Sequence, residues 1–501
     1  MTLRVRKEAD RRPKQAAFPY QVEAVQAIER LEFAALFHEQ GLGKTKIAID
    51  LALTWLTQNV VDSVLIITKN SLVENWKTEI RFHSYLTPRV IGQNRRDNHF
   101  ALNSPARLFL THYETCIAEE GRLTLFLKTR RVGVICDEAQ KFKNPESKIA
   151  GVLFRLGPLF HRRVVMTGTP VANRPYDVWA LIRFLDGGAT LGDDFPEFKR
   201  DYDLSSDLAH NPVTREAFES RLDSLWETLR PFCVRETKNT AGLSLPDKEI
   251  DTVWVDPEEI QEELYETYRD ELRAVIVRGG VPVVDKVDDV LKRLLRLVQV
   301  ASNPRLVDAA YARTPGKLPA LELLLSEALA DGVSKAVVWT TFTENVDWLA
   351  RALRRLGTVR VHGRMSIAER NRSLDSFKRD ASVQVLIATP GAAKEGLTLT
   401  VANHAVFYDR GFSLDDYLQA QDRIHRISQN RACFIHNISM RGTIDEWVDE
   451  LLGAKHLAAM LVQGDIALKE YRERATYSFV ELLARVLGVE PPASAPEGEE
   501  N

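Results

Sequence analysis

The sequence contains few cysteines, and none of them stands in a pairing or metal-binding pattern. The four cysteines are isolated from one another, and no C-x-x-C pair occurs: Cys116, Cys136, Cys233 and Cys433. This spacing argues against a disulfide framework and against a zinc site of the usual kind. We therefore expect a reducing, cytoplasmic setting and no structural metal.

Long apolar runs and an excess of one charge are also lacking. No run approaches the roughly 18 apolar residues that a membrane helix needs, so we expect no membrane partner. Residues 1–14 are charged and do not resemble a secretory signal. The formal net charge is −3 over 501 residues. Nucleic acid would therefore have to bind through local basic segments, such as 4–14, 351–364 and 423–431, although each alone is more often a solvated face.

Two stretches alternate short apolar strands with helical patterns, at about 18–185 and 316–452, and this alternation predicts parallel α/β sheets. Between them, residues 195–303 favour helices, with one apolar stripe at Ile260, Leu264, Tyr268 and Leu272. We therefore predict an α/β fold of two parallel-sheet lobes in tandem with helical insertions between them. The predicted domains are lobe one at 1–185, insertions and linker at 186–315, lobe two at 316–455, and C-terminal helices with a disordered acidic tail at 456–501.

A glycine-rich loop lies between a predicted strand, Ala34–Phe37, and a predicted helix, Thr45–Leu56. Its residues are Gly41, Leu42, Gly43, Lys44 and Thr45. Without a Cβ, glycine backbone N–H groups can approach phosphate oxygens closely. Lys44 would then reach the β- and γ-phosphates of ATP, and the Thr45 hydroxyl would bind Mg²⁺. The strict pattern has glycine where this chain has His38, so the loop alone is a weak signal.

Two consecutive carboxylates, Asp137 and Glu138, follow the predicted strand Val132–Cys136. Carboxylates at the end of a buried strand are unfavourable without a cation, and Mg²⁺–ATP would supply one. Asp137 would bind Mg²⁺, and Glu138 would activate the attacking water. A surface Asp-Glu pair is the alternative interpretation, and the Lys44 loop argues against it.

Arginines in the second predicted lobe complete the candidate catalytic set. Gln419, Arg423 and Arg426 have helical spacing in a segment predicted to be helical from Leu414 to Ile427. Two guanidinium groups could neutralise charge on the transferred γ-phosphoryl group, and hydrolysis would then depend on closure of the lobes. A solvated basic helix face is the alternative.

These motifs, in this order, resemble helicase superfamily two, and more narrowly the Swi/Snf family of helicase-like DNA translocases, from Phe18 to about Lys455. The resemblance implies RecA-like lobes and Gln21 as the reader of adenine. It also implies DNA contacts in the family's motifs Ia, Ib, III and V: Asn75, Trp76, Thr111, Thr169, Thr389 and Gly396. The chain departs from the family pattern at His38, Gln140, Ala393 and Lys394, where the family usually has other residues.

The resemblance implies a DNA-stimulated ATPase that translocates on double-stranded DNA and remodels DNA or DNA-bound proteins without strand separation. A strand-separating helicase and an inactive scaffold are the alternatives, and intact Lys44, Asp137, Glu138 and Arg426 argue against the scaffold. A further alternative is that the motor is one subunit of a defence or restriction-type complex whose other chain is a separate protein. No accessory module is recognisable, which suits a minimal motor of prokaryotic or phage type.

Overall fold

The computed structural model describes residues 10–171, 173–203, 211–242, 245–278, 281–282, 287–393, 398–476, 484 and 486–488. The chain divides into two compact units. Unit 1 comprises Met1–Asp203, Arg221–Leu243 and Leu461–Asp465, and unit 2 comprises Leu204–Ser220, Ser244–Met460 and Ile466–Asn501. Among the described residues, no helix is long and apolar enough to cross a membrane.

Unit 1 is built on a seven-stranded parallel sheet of order β3-β4-β2-β5-β6-β1-β7. Its strands are β1 (Phe33–Leu36), β2 (Ser63–Thr68), β3 (Arg89–Val90), β4 (Leu108–His112), β5 (Val132–Asp137), β6 (Arg162–Met166) and β7 (Cys233–Val234). Every residue of β2, β4 and β5 is buried, because helices cover both faces of a parallel sheet.

The helices of this part of the chain follow the strands in the expected alternation. They are α1 (Pro19–Ile28), α2 (Lys44–Thr57), α3 (Val73–His83), α4 (Arg95–Leu102), α5 (Tyr113–Ala118), α6 (Glu120–Thr129), α7 (Lys148–Leu156), α8 (Trp179–Asp186) and α9 (Phe195–Tyr202). A further helix, α10 (Pro212–Leu229), spans a sequence boundary between the two units.

Unit 2 contains a six-stranded parallel sheet of order β12-β13-β11-β14-β15-β8. Its strands are β8 (Lys248–Val255), β11 (Ala336–Trp339), β12 (Thr358–Val361), β13 (Val385–Ala388), β14 (His404–Phe407) and β15 (Cys433–Met440); β9 (Val277–Arg278) and β10 (Val281–Pro282) form a separate antiparallel pair. Its helices are α11 (Glu259–Ile276), α12 (Val287–Ser302), α13 (Lys317–Ala328), α14 (Thr343–Ala352), α15 (Ile367–Arg379), α16 (Pro390–Ala393), α17 (Leu414–Gln421), α18 (Ile444–Val462) and α19 (Leu468–Arg474).

The predicted fold class of two parallel-sheet lobes is confirmed, and each predicted strand has a counterpart in the structure. The region predicted as helical insertions and linker also supplies β7 to the first sheet and β8 to the second. The predicted stripe on α11 is wrong at Ile260, which is 37% exposed, whereas the neighbouring Gln261 is buried. The predicted disordered tail, 491–501, lies outside the described residues.

Candidate functional site

The predicted phosphate loop joins β1 to α2 at the carboxyl edge of the unit 1 sheet. Gly41 and Gly43 have φ of 87° and 71°, a backbone region that favours glycine, and Gly43 is the N-cap of α2. Lys44 is the first residue of the helix, and its Nζ donates hydrogen bonds to the carbonyls of His38 (2.9 Å) and Glu39 (3.1 Å). The loop therefore curls around its own lysine, with the helix N-terminus at its centre, which is a geometry suited to anions.

Gln21 braces this loop from the first turn of α1. Its side-chain amide donates to the Leu42 carbonyl at 3.2 Å, and its side-chain oxygen accepts from the Phe18 backbone N–H at 3.0 Å. The neighbouring Tyr20 hydroxyl donates to the same Leu42 carbonyl at 3.0 Å. A Cβ on Gly43 would lie 2.5 Å from the Gln21 amide nitrogen, so this position admits only glycine while Gln21 stays in place. The predicted adenine reader thus contacts the phosphate loop directly.

Asp137 is the last residue of β5 and is buried. Its Oδ2 accepts hydrogen bonds from the Trp76 indole N–H (2.7 Å) and the Thr68 hydroxyl (3.0 Å), so neither donor occupies Oδ1. Burial raises the pKa of Asp137 to about 6, and the neighbouring Glu138 carboxylate adds to the shift; the two hydrogen bonds and the Lys44 cation act in the opposite direction. This carboxylate is held in an environment that disfavours its charge, which a bound cation would stabilise.

Glu138 follows directly in the left-handed region, with φ 51° and ψ 49°. This conformation is uncommon for a non-glycine residue and often marks a functional site. Its Oε2 accepts a hydrogen bond from the Gln140 side-chain amide and lies 3.6 Å from the Lys69 Nζ. The turn therefore directs the second carboxylate away from the strand, where two neighbouring side chains fix its position.

His38 occupies one of the positions at which the chain departs from the family pattern. Its ring is 2% exposed, and neither ring nitrogen has a hydrogen-bond partner of normal geometry among the described residues. Burial lowers the pKa of His38 to about 3, the Lys44 and Arg235 cations lower it further, and the Val234 backbone acts in the opposite direction. The imidazole is therefore neutral beside the loop lysine.

The strand between these two motifs completes the edge. In the sheet, β6 lies between β5 and β1, so the ends of β5 and β1 are about 10 Å apart. Residues 167–169 follow β6 into this gap, and a Cβ on Gly168 would lie 2.7 Å from the Gln40 side chain of the loop. Motif III and the phosphate loop are thus in close contact, with the Asp137 carboxylate on the other side.

The residues at this edge fit a magnesium–nucleotide complex. The loop offers backbone N–H groups and Lys44, Asp137 leaves Oδ1 outside its two hydrogen bonds, and Thr45 lies at the start of α2. Among the described residues, no group of three or more His, Cys, Asp or Glu side chains could hold a metal ion by itself. A cation here would therefore need phosphate oxygens as further ligands, as Mg²⁺ commonly has.

The arginine motif of unit 2 differs from the predicted single helix. Helix α17 ends at Gln421. Arg423 and Arg426 lie beyond this end, in turns and bends, so they share no helix face with Gln419. Gln419 is buried and donates to the Asp415 carboxylate at 2.6 Å. Arg423 is largely buried, whereas Arg426 is half-buried and donates to the Thr398 hydroxyl at 2.9 Å. The predicted helix overran because Leu414–Ile427 contains no proline or glycine that would end it.

Unit 2 also contains a cavity of about 460 Å³ at the carboxyl edge of its own sheet. Thr341, Thr389 and Ser413 line it where β11, β13 and β14 give way to helices. The Asp409 carboxylate at its floor accepts four hydrogen bonds, from Ser302, Thr340, Thr341 N–H and Asn345. These hydrogen bonds stabilise its charge within the protein.

The six residues predicted to contact DNA are placed differently from one another. Asn75 is exposed on α3 and stays a prediction, as does Thr389 in the unit 2 cavity. Trp76 and Thr111 are each 1% exposed, with their donor groups bonded to Asp137 and to the Ile91 carbonyl, and their contacts with DNA stay predictions.

The remaining two predicted DNA contacts are Thr169 and Gly396. Thr169 is 6% exposed, and its backbone N–H donates to the Thr167 hydroxyl at 3.1 Å. Gly396 lies outside the described residues. Motif III therefore lies close to the phosphate loop, and its predicted role at DNA stays a prediction.

Several residues that shape the site were not predicted from the sequence to have this role. Thr68 and Trp76 hold the Asp137 carboxylate, and the Tyr113 hydroxyl donates to the Asp137 backbone carbonyl at 2.7 Å. Thr68 ends the strand next to β5, so its position in a parallel sheet was a usable signal. Lys69, whose side chain lies beside Glu138, is the next residue after Thr68 in the sequence.

Comparison with known proteins identifies the family. The model of the SNF2-related domain matches residues 20–306, more than half of the chain, and the helicase conserved C-terminal domain matches residues 317–428. The DNA repair and recombination protein RAD54-like of Mus musculus is 27% identical over 81% of this chain and 60% of its own length. ISWI chromatin-remodeling complex ATPase ISW1 of Saccharomyces cerevisiae is 26% identical over 91% of this chain and 42% of its own length.

A solved structure of the Sulfolobus solfataricus SWI2/SNF2 ATPase core in complex with double-stranded DNA is 24% identical, with a TM-score of 0.41, and covers 94% of this chain and 99% of its own. The chain spans about 60% of the length of the RAD54-like relatives that it matches. The long match to the SNF2-related domain, followed by the helicase C-terminal domain, decides the assignment. The chain belongs to the SNF2-related family of helicase-like ATPases.

Proposed function

We propose that the chain is an ATP-dependent translocase that moves on double-stranded DNA and remodels DNA or DNA-bound proteins without separating the strands. The observation that carries its ATPase part is the pair of buried Asp137 and half-buried Glu138 at the same sheet edge as the Lys44 loop. A buried carboxylate with a raised pKa and a strained neighbour is unfavourable in a merely structural role.

In this proposal each residue at the unit 1 edge has a distinct task. Magnesium-bound ATP would supply the electrophilic phosphorus and the charge that neutralises Asp137. Lys44 would leave the carbonyls of His38 and Glu39 and donate to phosphate oxygens instead, an exchange that keeps its hydrogen bonds satisfied. Thr45 and Asp137 would hold the cation, and Glu138 would accept the proton of the attacking water.

Gln21 would link recognition of the base to the shape of the phosphate loop. Its amide already contacts Leu42, so a nucleotide base that engages Gln21 would also alter the contact with the loop. From unit 2, Arg423 and Arg426 are proposed to stabilise the charge of the transferred phosphoryl group. Arg426 is the more accessible of the two, and its hydrogen bond to Thr398 would be exchanged for phosphate oxygens.

The DNA part of the proposal is supported by the relatives and by the unit 2 cavity. One relative is named for DNA repair and recombination, and another for a chromatin-remodeling complex. The cavity lies at the N-termini of α14 and α17, whose backbone N–H groups favour phosphate. Thr389 and the exposed Asn75 are proposed to contact the phosphate backbone of DNA. Contacts of this kind do not read the base sequence.

The ATPase assignment is tested by substituting Glu138. We expect Glu138→Gln to reduce turnover by about 100-fold or more, since it removes the general base, while ATP binding is kept. Glu74→Gln is the matched control, because Glu74 is an exposed glutamate of unit 1 whose carboxylate pairs with Lys77 at 2.6 Å. Wild-type ATPase activity in Glu138→Gln would overturn the assignment.

The nucleic-acid substrate is tested by measuring ATPase activity with no nucleic acid, single-stranded DNA, duplex DNA and duplex RNA. We expect the largest stimulation with duplex DNA, and stimulation by RNA alone would refute the substrate. A triplex-displacement assay should be positive, and a strand-displacement assay negative. Strand displacement would favour the alternative, a strand-separating helicase. Dependence of either activity on an added protein would favour a motor subunit of a larger complex.

A further inference from the structure

Strand β8 leaves one side of the unit 2 sheet open. It is the last strand in the sheet order, and it pairs with β15 along its whole length, from Lys248↔Cys433 to Val255↔Met440. The ladder uses the carbonyls of alternate residues: Cys433 N–H donates to Asp247, and Arg441 N–H donates to Val255. The N–H and C=O groups of the intervening residues therefore point to the other side.

No strand among the described residues pairs with that side. Ile250, Thr252 and Trp254 supply the outward backbone groups, and their side chains share one face because strand side chains alternate. Ile250 is 51% exposed and Trp254 is 43% exposed. We call this side, with these three residues at its centre, the β8 edge.

Natural edge strands are often protected by proline, bulges or charged side chains. In β8 no proline lies within the strand, Glu249 and Asp251 point to the opposite face from Ile250, and Lys248 stands at the end of the strand. Here the prolines, Pro246 and Pro257, stand just outside the strand, and the exposed face carries isoleucine, threonine and tryptophan. An uninterrupted edge with exposed apolar side chains is a template for another strand.

We propose that the β8 edge binds the β8 edge of a second copy of this chain, as an antiparallel pair with Thr252 on the two-fold axis. The sequence is complementary to itself in this register. Ile250 lies opposite Trp254 of the second copy, and Lys248 lies opposite Asp256 of the second copy, each twice by symmetry. The outward N–H and C=O groups of Thr252 face the same groups of Thr252 in the second copy. Each even-numbered residue of β8 therefore exchanges two hydrogen bonds with the residue opposite it.

The pairs formed in this two-fold register favour a second copy of the chain, rather than an unrelated protein, as the partner of the β8 edge. Cross-strand pairs between an aromatic and a β-branched residue, and between opposite charges, are the favourable ones, and no like charges lie directly opposite each other. The flanking prolines limit the pairing to residues 247–256, and the even-numbered residue nearest the centre of this segment is Thr252. Lys248 and Asp256 have only weak or exposed partners within the chain, Gln421 at 3.4 Å and Arg441 at 3.1 Å.

The proposal is tested by sedimentation velocity of the full chain over a concentration series. A pair of short strands is a small interface, so we expect weak association that is complete only near about 100 µM. The mass should rise from 56.7 kDa to twice that value. Thr252→Pro should abolish the rise, because it removes an outward N–H and leaves the ladder to β15 intact. Thr252→Val keeps this N–H and is the matched control.

A charge exchange tests the register itself. Lys248→Glu alone brings an acidic side chain opposite Asp256 of the second copy, twice by symmetry. Asp256→Lys alone brings a basic side chain opposite Lys248 in the same way, so each single variant should weaken association at least fivefold. The double variant should restore it. Circular dichroism of every variant identifies any that fail to fold. A wild-type monomer at all concentrations, or a Thr252→Pro dimer, would overturn the proposal; single exchanges without effect would overturn the register.

Discussion

Replacing Asp137 by asparagine should make the nucleotide-free protein more stable at pH 8 while it abolishes ATP hydrolysis. Burial and Glu138 raise the pKa of Asp137 from 3.8 to about 6, so the folded state disfavours the ionised form. A shift of about 2 units corresponds to about 3 kcal/mol of destabilisation at a pH well above 6. Asparagine keeps an acceptor oxygen for Trp76 and Thr68 and carries no charge.

The sign of the pH dependence follows from the raised pKa. Because the folded-state pKa lies above the unfolded one, the stabilisation associated with the protonated group is present below pH 3.8 and is lost as the pH rises through about 6. The advantage of Asp137→Asn should therefore be full at pH 8, about half as large at pH 5, and absent below about pH 3.8. At pH 8 we expect unit 1 to melt about 6–12 °C higher than in the wild type.

This difference is measured by calorimetry of thermal unfolding at pH 8 and at pH 5, which separates the unfolding transitions of the two units. Asp331→Asn is a control of opposite sign, because hydrogen bonds from Ser334 and Val333 hold the pKa of the exposed Asp331 at about 2. That substitution should bring no gain at pH 8. Adding Mg²⁺–ATP should stabilise the wild type more than Asp137→Asn. A variant that is no more stable at pH 8 than at pH 5, relative to the wild type, would refute the electrostatic account of the site.

Three further outcomes follow from the same contacts. Trp76→Phe removes a hydrogen bond that lowers the pKa of Asp137, so the acid limb of the ATPase pH profile should move to higher pH. Gly43→Ala combines φ 71° with a 2.5 Å contact to the Gln21 amide, and should weaken ATP binding about tenfold or more, whereas Gly92→Ala, with nothing within 4 Å, should not. Lys317→Met should reduce stability to urea by about 3–5 kcal/mol, since it leaves Asp445 buried without its partner at 2.5 Å; adding Asp445→Asn should recover part of the loss.

The central strands could be predicted from the sequence, but the edges could not. Buried parallel strands such as β2 and β5 form continuous apolar runs, which composition reveals directly. β8 has four consecutive exposed residues, Lys248 to Asp251, and β7 has only two residues, so neither contains such a run. Their membership in the sheets depends on pairing with strands far away in sequence, which local periodicity does not contain.

The site was predictable where chemistry requires a residue type, and less so where packing decides its role. Lys44 and Asp137 lie at one sheet edge because both follow parallel strands. Trp76 was assigned to DNA from its motif, although Val73, Trp76 and Ile80 have the spacing of one helix face and are all buried. That periodicity indicates a buried side chain, a role that packing determines and that the motif does not specify.

Three unfavourable features gather at the carboxyl edge of the unit 1 sheet. Asp137 is a buried acid, Glu138 has a left-handed backbone, and the buried His38 ring has no hydrogen bond of normal geometry among the described residues. Residues in such states cost of order 1–3 kcal/mol each and persist only where something else requires them. They come from two segments about 100 residues apart in the sequence, after β1 and after β5. Their concentration at one edge therefore supports the proposed nucleotide site on physical grounds that are independent of the motifs.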